Sequence, residues 1–306
     1  MKINIKDLKD KLENVKYSSN DSIDYALAIS MNLEKPLLLE GGPGVGKSSL
    51  AKAVADALEL PFIRVQLYDG LTDDKILFDY NYQKQLLTLE AIKPFITEKY
   101  EGQDIKDIIK GVSGDLDFYG KDFLIERPIL RAINGTGRKV ILFDEIDKAP
   151  EEIEYMLYEF LENYSITIPE YGEIKCPEDQ KPIVFLTSNR YRELSGALKR
   201  RCNYLYIKQK TQIEIVNILK LKAEADDSLA NAVAKCIIEL DKNTGIAQKP
   251  SISEAIEWAK FVRDSDMSPK EAAINSLSII AKNYKDYDAI RNTILKLDSE
   301  YLWETE

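Results

Sequence analysis

Residues 36–48 read PLLLEGGPGVGKS, an apolar run that passes through a glycine-rich turn to a lysine and a serine. The eight residues from Gly41 to Ser48 fit the pattern G-x-x-x-x-G-K-[ST]. Pro36–Glu40 has the composition of a buried strand, and Ser48–Leu60 has helical spacing. A strand, a glycine turn and a helix in this order predict a loop that binds phosphate groups. The alternative is a chance match on a glycine-rich turn.

The chemistry of phosphate binding accounts for each residue type in this loop. Glycines let the backbone wrap tightly, so that several N–H groups point at one phosphate. Lys47 is expected to contact the β- and γ-phosphates of a nucleotide, and the Ser48 hydroxyl to bind Mg²⁺. The predicted ATP-binding residues are Gly41, Gly42, Pro43, Gly44, Val45, Gly46, Lys47, Ser48 and Ser49.

A second apolar run, residues 139–145 (KVILFDE), ends in two carboxylates. Asp144 is predicted to hold Mg²⁺ together with Ser48, and Glu145 to orient and deprotonate the attacking water. The chain contains no histidine, so a carboxylate is the natural general base. The alternative is a strand that runs into a helix capped by Asp144 or Asp147.

Three further polar residues lie beside later strands: Asn189 after one strand, and Arg200 and Arg201 before the next. Asn189 comes just after the apolar run 183–187, where its amide can bind both the γ-phosphate and the lytic water, or can simply form a turn. Arg200 and Arg201 precede the strand candidate Tyr204–Ile207. Such a pair is either a solvated surface or, in a ring of subunits, an arginine finger that reaches the neighbour's nucleotide.

The order of the patterns predicts the fold. Short apolar runs alternate with helical spacing up to residue 208, which is typical of an α/β parallel sheet. Within this part we expect a helical insert over about 67–119 and a β-hairpin over about 165–176. After Lys208 only helical patterns follow, which predicts a core domain, 1–208, and an all-helical domain, 209–306. The expected N-caps of its helices are Thr211, Ser228 and Ser253.

Composition narrows the class of protein. The net charge is −10, and acidic residues outnumber basic ones on both sides of residue 208, so we expect no nucleic-acid partner. The three cysteines are far apart, which argues against disulfides and zinc sites. Neither a secretory signal nor a membrane-spanning run is recognisable, so we expect a cytoplasmic protein without a membrane partner.

The order of motifs resembles that of the AAA+ ATPases: the phosphate loop, an Asp-Glu strand end, a strand-terminal Asn, an arginine before a strand, and then helices. Five further stretches look like the MoxR group of AAA+ proteins, in particular its CoxD-like branch, and the resemblance covers about residues 18–264. These stretches are 68–71 (YDGL), 80–85 (YNYQKQ), 126–130 (ERPIL), 167–170 (TIPE) and 187–195 (TSNRYRELS).

The resemblance implies an αβα core with a small helical lid, an insert in the second helix, a hairpin before the sensor strand, and a homo-hexameric ring. It makes Asn189 the sensor 1 residue and Arg201 the preferred arginine finger, with Arg200 second. The family often has a sensor 2 arginine at the third lid helix, where this chain offers only Lys249. Gln66, at the end of the second strand, is a candidate for holding Glu145 back until a partner binds.

The leading functional hypothesis is an ATP-driven chaperone that remodels or matures a client protein with a von Willebrand A-domain partner, as the resemblance implies. One alternative is an AAA+ nucleic-acid motor of McrB-like or helicase-like type. Another is a nucleotide-gated scaffold with little turnover. The expected cofactors are ATP and Mg²⁺ in each case.

Overall fold

The protein is described by a computed structural model over residues 3–99, 104, 117–169, 171–298 and 303. Its secondary structure within these ranges follows the predicted alternation of strands and helices. The strands are β1 Leu37–Gly41, β2 Phe62–Gln66, β3 Phe78–Tyr80, β4 Leu124–Glu126, β5 Val140–Asp144, β6 Ser165–Ile168, β7 Gly172–Lys175, β8 Ile183–Ser188 and β9 Asn203–Ile207. The helices are α1 Ile5–Asn14, α2 Asp21–Leu33, α3 Lys47–Ala57, α4 Tyr82–Lys99, α5 Pro128–Ile133, α6 Glu151–Asn163, α7 Gly196–Arg201, α8 Gln212–Ala223, α9 Asp227–Lys242, α10 Ile252–Asp264, α11 Pro269–Asn275 and α12 Tyr284–Asp298.

A five-stranded sheet in the order β2-β5-β8-β1-β9 forms the centre of the fold. All four pairings are parallel, with Leu39 opposite Thr187 and Phe143 opposite Leu186. Strands buried on both faces must be apolar throughout, which explains the runs LLL, VILF and IVFL in β1, β5 and β8. Because the strands are parallel, their carboxyl ends meet at one edge of the sheet, and this edge carries the phosphate-binding loop, Asp144, Glu145 and Asn189, whereas Arg201 precedes β9.

Helices cover both faces of the sheet, so the predicted αβα three-layer fold is confirmed. Alternate residues of each strand enter different hydrophobic clusters, since side chains along a strand point to opposite faces. Leu38 and Ile141 join the cluster beneath α5 and α6, whereas Leu37 and Leu142 join the one beneath α1, α2 and α3.

Between β2 and β5 the chain leaves the central sheet. β3 pairs antiparallel with β4, and α4 lies between them in sequence, so the expected insert contains a strand as well as a helix. Residues 100–103 and 105–116 of that predicted insert lie outside the described residues. The predicted hairpin is formed by β6 and β7, although Glu170 in its turn is not described.

The helices after residue 208 pack around a hydrophobic cluster of their own, with Trp258 fully buried inside it. Thr211 caps α8 as expected, but the expected caps Ser228 and Ser253 are wrong. Both helices begin earlier, because Asp226 accepts from Leu229 N and Ser251 forms a reciprocal capping box with Glu254. The helical spacing over residues 269–283 predicts one helix there, but α11 stops at Asn275.

No helix in the described ranges combines the length and the apolar composition of a bilayer-spanning segment.

Candidate active site

The phosphate-binding loop predicted from the sequence connects the end of β1 to the start of α3. Gly44 and Gly46 have φ angles of +74° and +99°, a backbone region that side chains with a Cβ rarely adopt. A Cβ on Gly41 would collide with the carbonyl oxygen of Ile207 on the neighbouring strand. Three glycines of the motif are therefore required by conformation or by close packing.

Lys47, the first residue of α3, is 6 % exposed. Its ammonium donates to the carbonyls of Gly41 at 2.9 Å and Gly42 at 2.7 Å, and to Asn189 Oδ1 at 2.7 Å. Burial lowers the pKa of Lys47, and the carboxylates of Asp147, Asp144 and Glu145 oppose this effect. The lysine is thus fixed at the mouth of the loop, with an acidic wall facing it.

Asp144 ends β5 and is 2 % exposed. Its Oδ1 accepts from Ser48 Oγ at 2.7 Å and from Thr187 Oγ1 at 2.5 Å. Its Oδ2 accepts from Arg64 Nε at 2.9 Å and Nη2 at 2.5 Å. The carboxylate of Asp144 and the hydroxyl of Ser48 are in direct contact. Both are hard oxygen ligands, the kind that Mg²⁺ prefers in proteins.

Glu145 follows in the left-handed conformation, with φ 61° and ψ 51°. This turn points its carboxylate back toward the loop, while its backbone N–H donates to Thr187 Oγ1 at 2.9 Å. The carboxylate accepts from Asn189 Nδ2 at 3.0 Å, Gln66 Nε2 at 2.8 Å and Lys148 Nζ at 2.9 Å. Gln66 is therefore in contact with Glu145, as a residue that restrains it would have to be.

Asn189 lies between the two halves of the site, because its amide oxygen accepts from Lys47 and its amide nitrogen donates to Glu145. Its position is fixed by Asp147, which is 1 % exposed and accepts from Asn189 N at 3.0 Å and Tyr191 N at 2.7 Å. The capping alternative for Asp144 and Asp147 is wrong, since α6 begins after Pro150 without a side-chain cap.

One cavity of about 370 Å³ brings these groups together. Its lining contains most of the predicted loop and both carboxylates, and the remaining wall is formed by Arg64, Gln66, Thr187, Asn189 and Ser253. The lining residues from the loop and α3 are Pro43, Gly44, Gly46, Lys47, Ser48 and Ser49.

The two candidate finger arginines lie outside this cavity. Arg201 pairs with Glu162, its Nη2 being 2.7 Å from Oε2, and its guanidinium carbon stands 4.5 Å from the centroid of the Tyr158 ring. Arg200 is exposed and makes no hydrogen bond or ion pair to the residues that the structure describes. In a single chain, therefore, neither arginine completes the site.

A second cavity of about 500 Å³ separates the loop from the helices after residue 208. Gly44 approaches Ser251 so closely that a Cβ on Gly44 would lie 2.8 Å from Ser251 Cβ. Lys249, the weak sensor 2 candidate, lines this cavity. Its ammonium donates to the carbonyls of Leu240 at 3.1 Å and Asp241 at 2.7 Å and to that of Asn243, so it caps the carboxyl end of α9.

Arg64, Asp147 and the hydroxyl of Thr187 are the site residues that sequence reasoning missed. Arg64 carried a readable signal, since it and Gln66 occupy alternate positions of the strand FIRVQ and so share one face. Asp147 and Thr187 act on backbone N–H groups or on other side chains, which no spacing in the sequence reveals.

Comparison with known proteins adds a family match. Residues 36–202 match the family model described as AAA domain (dynein-related subfamily), which is more than half of the chain. The chain is 26 % identical over 204 residues to the Lon protease of Fusobacterium nucleatum subsp. nucleatum, and 26 % over 212 residues to that of Mycoplasma mobile. These alignments cover 64 % and 67 % of this chain but only 22 % and 20 % of the relatives, so the chain spans about a fifth of their length.

Among solved structures, similar chains include the Thermotoga maritima RuvB Holliday junction branch migration motor, at 19 % identity and a TM-score of 0.45. The match covers 93 % of this chain and 69 % of that one. A single-residue mutant of the same RuvB gives 19 % identity and a TM-score of 0.45, covering 99 % and 74 %.

Proposed function

The chain belongs to the dynein-related subfamily of AAA domains and is an AAA+ ATPase, and on that premise we propose that it is a MoxR-type chaperone of the CoxD-like branch. In this role it uses ATP hydrolysis to remodel or mature a client protein, together with a von Willebrand A-domain partner. The resemblance of residues 68–71, 126–130 and 187–195 to that group supports the finer assignment. The acidic balance of the chain suits a protein client better than DNA.

One observation carries the ATPase mechanism. The loop lysine and the Asp144–Glu145 pair face each other across one cavity, with Ser48 bonded to Asp144 and Asn189 bonded to both Lys47 and Glu145. Phosphoryl transfer depends mainly on positioning and on charge stabilisation around the transferred group. This arrangement supports a mechanism in which a cation, a pair of metal ligands and a general base act on one bound phosphate group.

The residues take the roles that their positions support. The N–H groups of the loop from Gly41 to Ser49 bind the phosphates, and Lys47 balances the charge of the β- and γ-phosphates. Ser48 and Asp144 would hold Mg²⁺, which would neutralise charge on the phosphates. Glu145 takes a proton from the attacking water, whose oxygen displaces the β-phosphate oxygen at the γ-phosphorus. Asn189 orients that water and holds Glu145 in place.

We further assign residues 1–208 to the ATPase core and 209–306 to a lid. The second cavity, between Gly44 and the lid segment 247–252, is where a nucleotide base and sugar fit, because it adjoins the phosphate cavity. A nucleotide bound across both cavities contacts core and lid together, so its hydrolysis shifts one against the other. Lys249 is engaged in capping α9, which supports a lid without a sensor 2 cation.

In a ring of subunits, a neighbouring chain could supply the arginine that the phosphate cavity of a single chain lacks. Arg201 lies outside its own chain's cavity, and a homo-hexamer with head-to-tail contacts would present it to the neighbour's γ-phosphate. Arg200 is the second candidate at the same surface.

The proposed function is tested by the steady-state rate of ATP hydrolysis with two additions. We expect stimulation by a von Willebrand A-domain partner protein, and no change with duplex DNA between about 50 and 200 mM salt. Lys47→Ala, which removes the loop cation, is the control for contaminating ATPases. Stimulation by DNA that weakens steeply with salt, without an effect of the protein partner, would favour a nucleic-acid motor instead.

A further inference from the structure

Strand β2 contributes two polar side chains to the site, and one of them is a cation that the mechanism above does not use. Arg64 and Gln66 lie two residues apart and so point to the same face of the strand. β2 pairs with β5 so that Gln66 stands opposite Asp144. The two side chains therefore border the carboxylates that end β5.

A continuous series of hydrogen bonds links the carboxylate of Asp144 to the carboxylate of Glu145. Arg64 donates twice to Asp144 Oδ2, at 2.9 Å and 2.5 Å. Its Nη2 also donates to Gln66 Oε1 at 2.9 Å, and Gln66 Nε2 donates to Glu145 Oε2 at 2.8 Å. A planar guanidinium can hold a carboxylate and an amide at once, which a lysine ammonium on a flexible stem does less well.

Charge and burial show what the arginine contributes. Asp144 is 2 % exposed, and its other oxygen is bonded by the neutral hydroxyls of Ser48 and Thr187. A buried carboxylate needs a compensating cation or strong hydrogen bonds. Arg64 supplies that cation from the solvent side, since its own side chain is 55 % exposed.

The guanidinium and the expected magnesium ion act on the same carboxylate. Arg64 lines the cavity that also contains Ser48 and Asp144. Two cations near one carboxylate repel each other, and this repulsion is only partly screened in a cleft that water enters on one side.

We propose, on the basis of the proposed ATPase function, that Arg64 is a positioning residue that sets the magnesium requirement of this site. It balances Asp144 and, through Gln66, fixes Glu145. A metal ion that binds at Ser48 and Asp144 does so against the charge of Arg64. The affinity for magnesium is thereby kept below what Ser48 and Asp144 would give alone, and metal binding loosens the Arg64–Gln66–Glu145 chain.

The test measures binding rather than turnover. A fluorescent ATP analogue is titrated into the full chain at increasing Mg²⁺, and the half-saturating Mg²⁺ concentration is compared between wild type and Arg64→Gln. Removing the charge should lower that concentration about threefold to tenfold. Arg64→Gln should also unfold at a lower temperature in EDTA without nucleotide, and regain more stability from Mg²⁺ than wild type does.

Two variants separate this effect from simpler ones. Lys52→Gln removes a nearby exposed cation that pairs with Asp56 rather than Asp144, and should leave the Mg²⁺ dependence unchanged. Arg64→Lys keeps the charge, so its half-saturating Mg²⁺ concentration should stay within about twofold of wild type. If Arg64→Gln does not fold, a larger shift in Arg64→Lys overturns the proposal.

An unchanged half-saturating Mg²⁺ concentration in Arg64→Gln also overturns the proposal. A raised concentration overturns it too, because Arg64 would then be helping to hold the metal–nucleotide complex. Failure of the ATPase mechanism on which this proposal rests looks different, since wild type itself would then bind no nucleotide and show no Mg²⁺ dependence at all.

Discussion

At the scale of single residues, the site depends on side chains that hold other side chains. Asp147 contacts no expected ligand, but it accepts the backbone N–H groups of Asn189 and Tyr191 and so fixes the turn after β8. Without Asp147, which is buried, the backbone N–H groups of Asn189 and Tyr191 lose their carboxylate acceptor. The position of Asn189 between Lys47 and Glu145 therefore depends on a residue two places after the general base.

We predict that Asp147→Ala lowers the free energy of unfolding by about 1–3 kcal/mol, because it leaves those N–H groups without their acceptor. It should also lower kcat more than it changes KM, since Asn189 loses its fixed position. Urea unfolding followed by circular dichroism, together with steady-state kinetics, measures both effects. Asp266→Ala, at an exposed aspartate of the lid, is the matched control. Equal stability of the two variants would contradict the assigned role.

At the scale of elements, the loop before α10 is held by an aspartate of α12. Asp286 accepts from Ala247 N at 2.9 Å, Gln248 N at 2.8 Å and Asn283 Nδ2 at 2.6 Å. The two backbone N–H groups, with Asn283 and the nearby Lys249 ammonium adding to them, hold the pKa of Asp286 below its usual range. This clamp positions the segment that lines the cavity beside Gly44.

The sign of the pH dependence follows from that lowered pKa. The stabilisation is complete above the unfolded-state pKa of about 3.9 and is lost as pH falls through the lower folded-state value. We predict that the helices after residue 208 lose stability in acid below about pH 4 in wild type, whereas in Asp286→Asn they are less stable at neutral pH and their stability depends less on acid. Both tryptophans of the chain, Trp258 and Trp303, lie in the lid cluster, so their fluorescence reports its unfolding. The control is Asp288→Asn, at an exposed position on the same helix, and identical acid profiles for the two variants would refute the clamp.

The comparison of sequence and structure is clearest at this scale. β1, β5 and β8 are found where apolar runs predicted them, because buried parallel strands leave a continuous apolar signal. The starts of α9 and α10 were misplaced, since several polar residues near each start can cap a helix and only packing selects one. The contact of Arg64 with Asp144 depends on β2 lying beside β5, an order of strands that the order of the chain does not reveal.

At the scale of the whole molecule, the proposed role of Arg201 means that full activity needs more than one chain. Arg201 pairs within its own chain with Glu162 and stacks on Tyr158, which holds it at the surface near the end of α7. A ring would bring this surface to the neighbour's phosphate cavity. The test must therefore distinguish an effect on the neighbour from the loss of a contact within the chain.

We predict that Arg201→Ala lowers kcat by about 10³-fold or more, because the transition state loses a guanidinium. Mixing it with an equal amount of Lys47→Ala should restore roughly a quarter of wild-type activity, since a random ring pairs an intact site with an intact finger at that frequency. ATP hydrolysis across mixing ratios measures this. Glu162→Gln removes only the ion pair of Arg201 within its own chain and should stay active. If the mixtures of Arg201→Ala and Lys47→Ala recover no activity, an arginine finger acting between subunits is contradicted.

In the proposed mechanism the loop ending at Lys47 and the pair Asp144–Glu145 form one site for ATP and Mg²⁺. The most direct measurement is nucleotide binding and hydrolysis on a single preparation of Glu145→Gln. We predict that this variant binds Mg²⁺-ATP within about threefold of wild type and hydrolyses it at least about 100-fold more slowly, since only the proposed general base is lost. Unchanged hydrolysis in Glu145→Gln would contradict it.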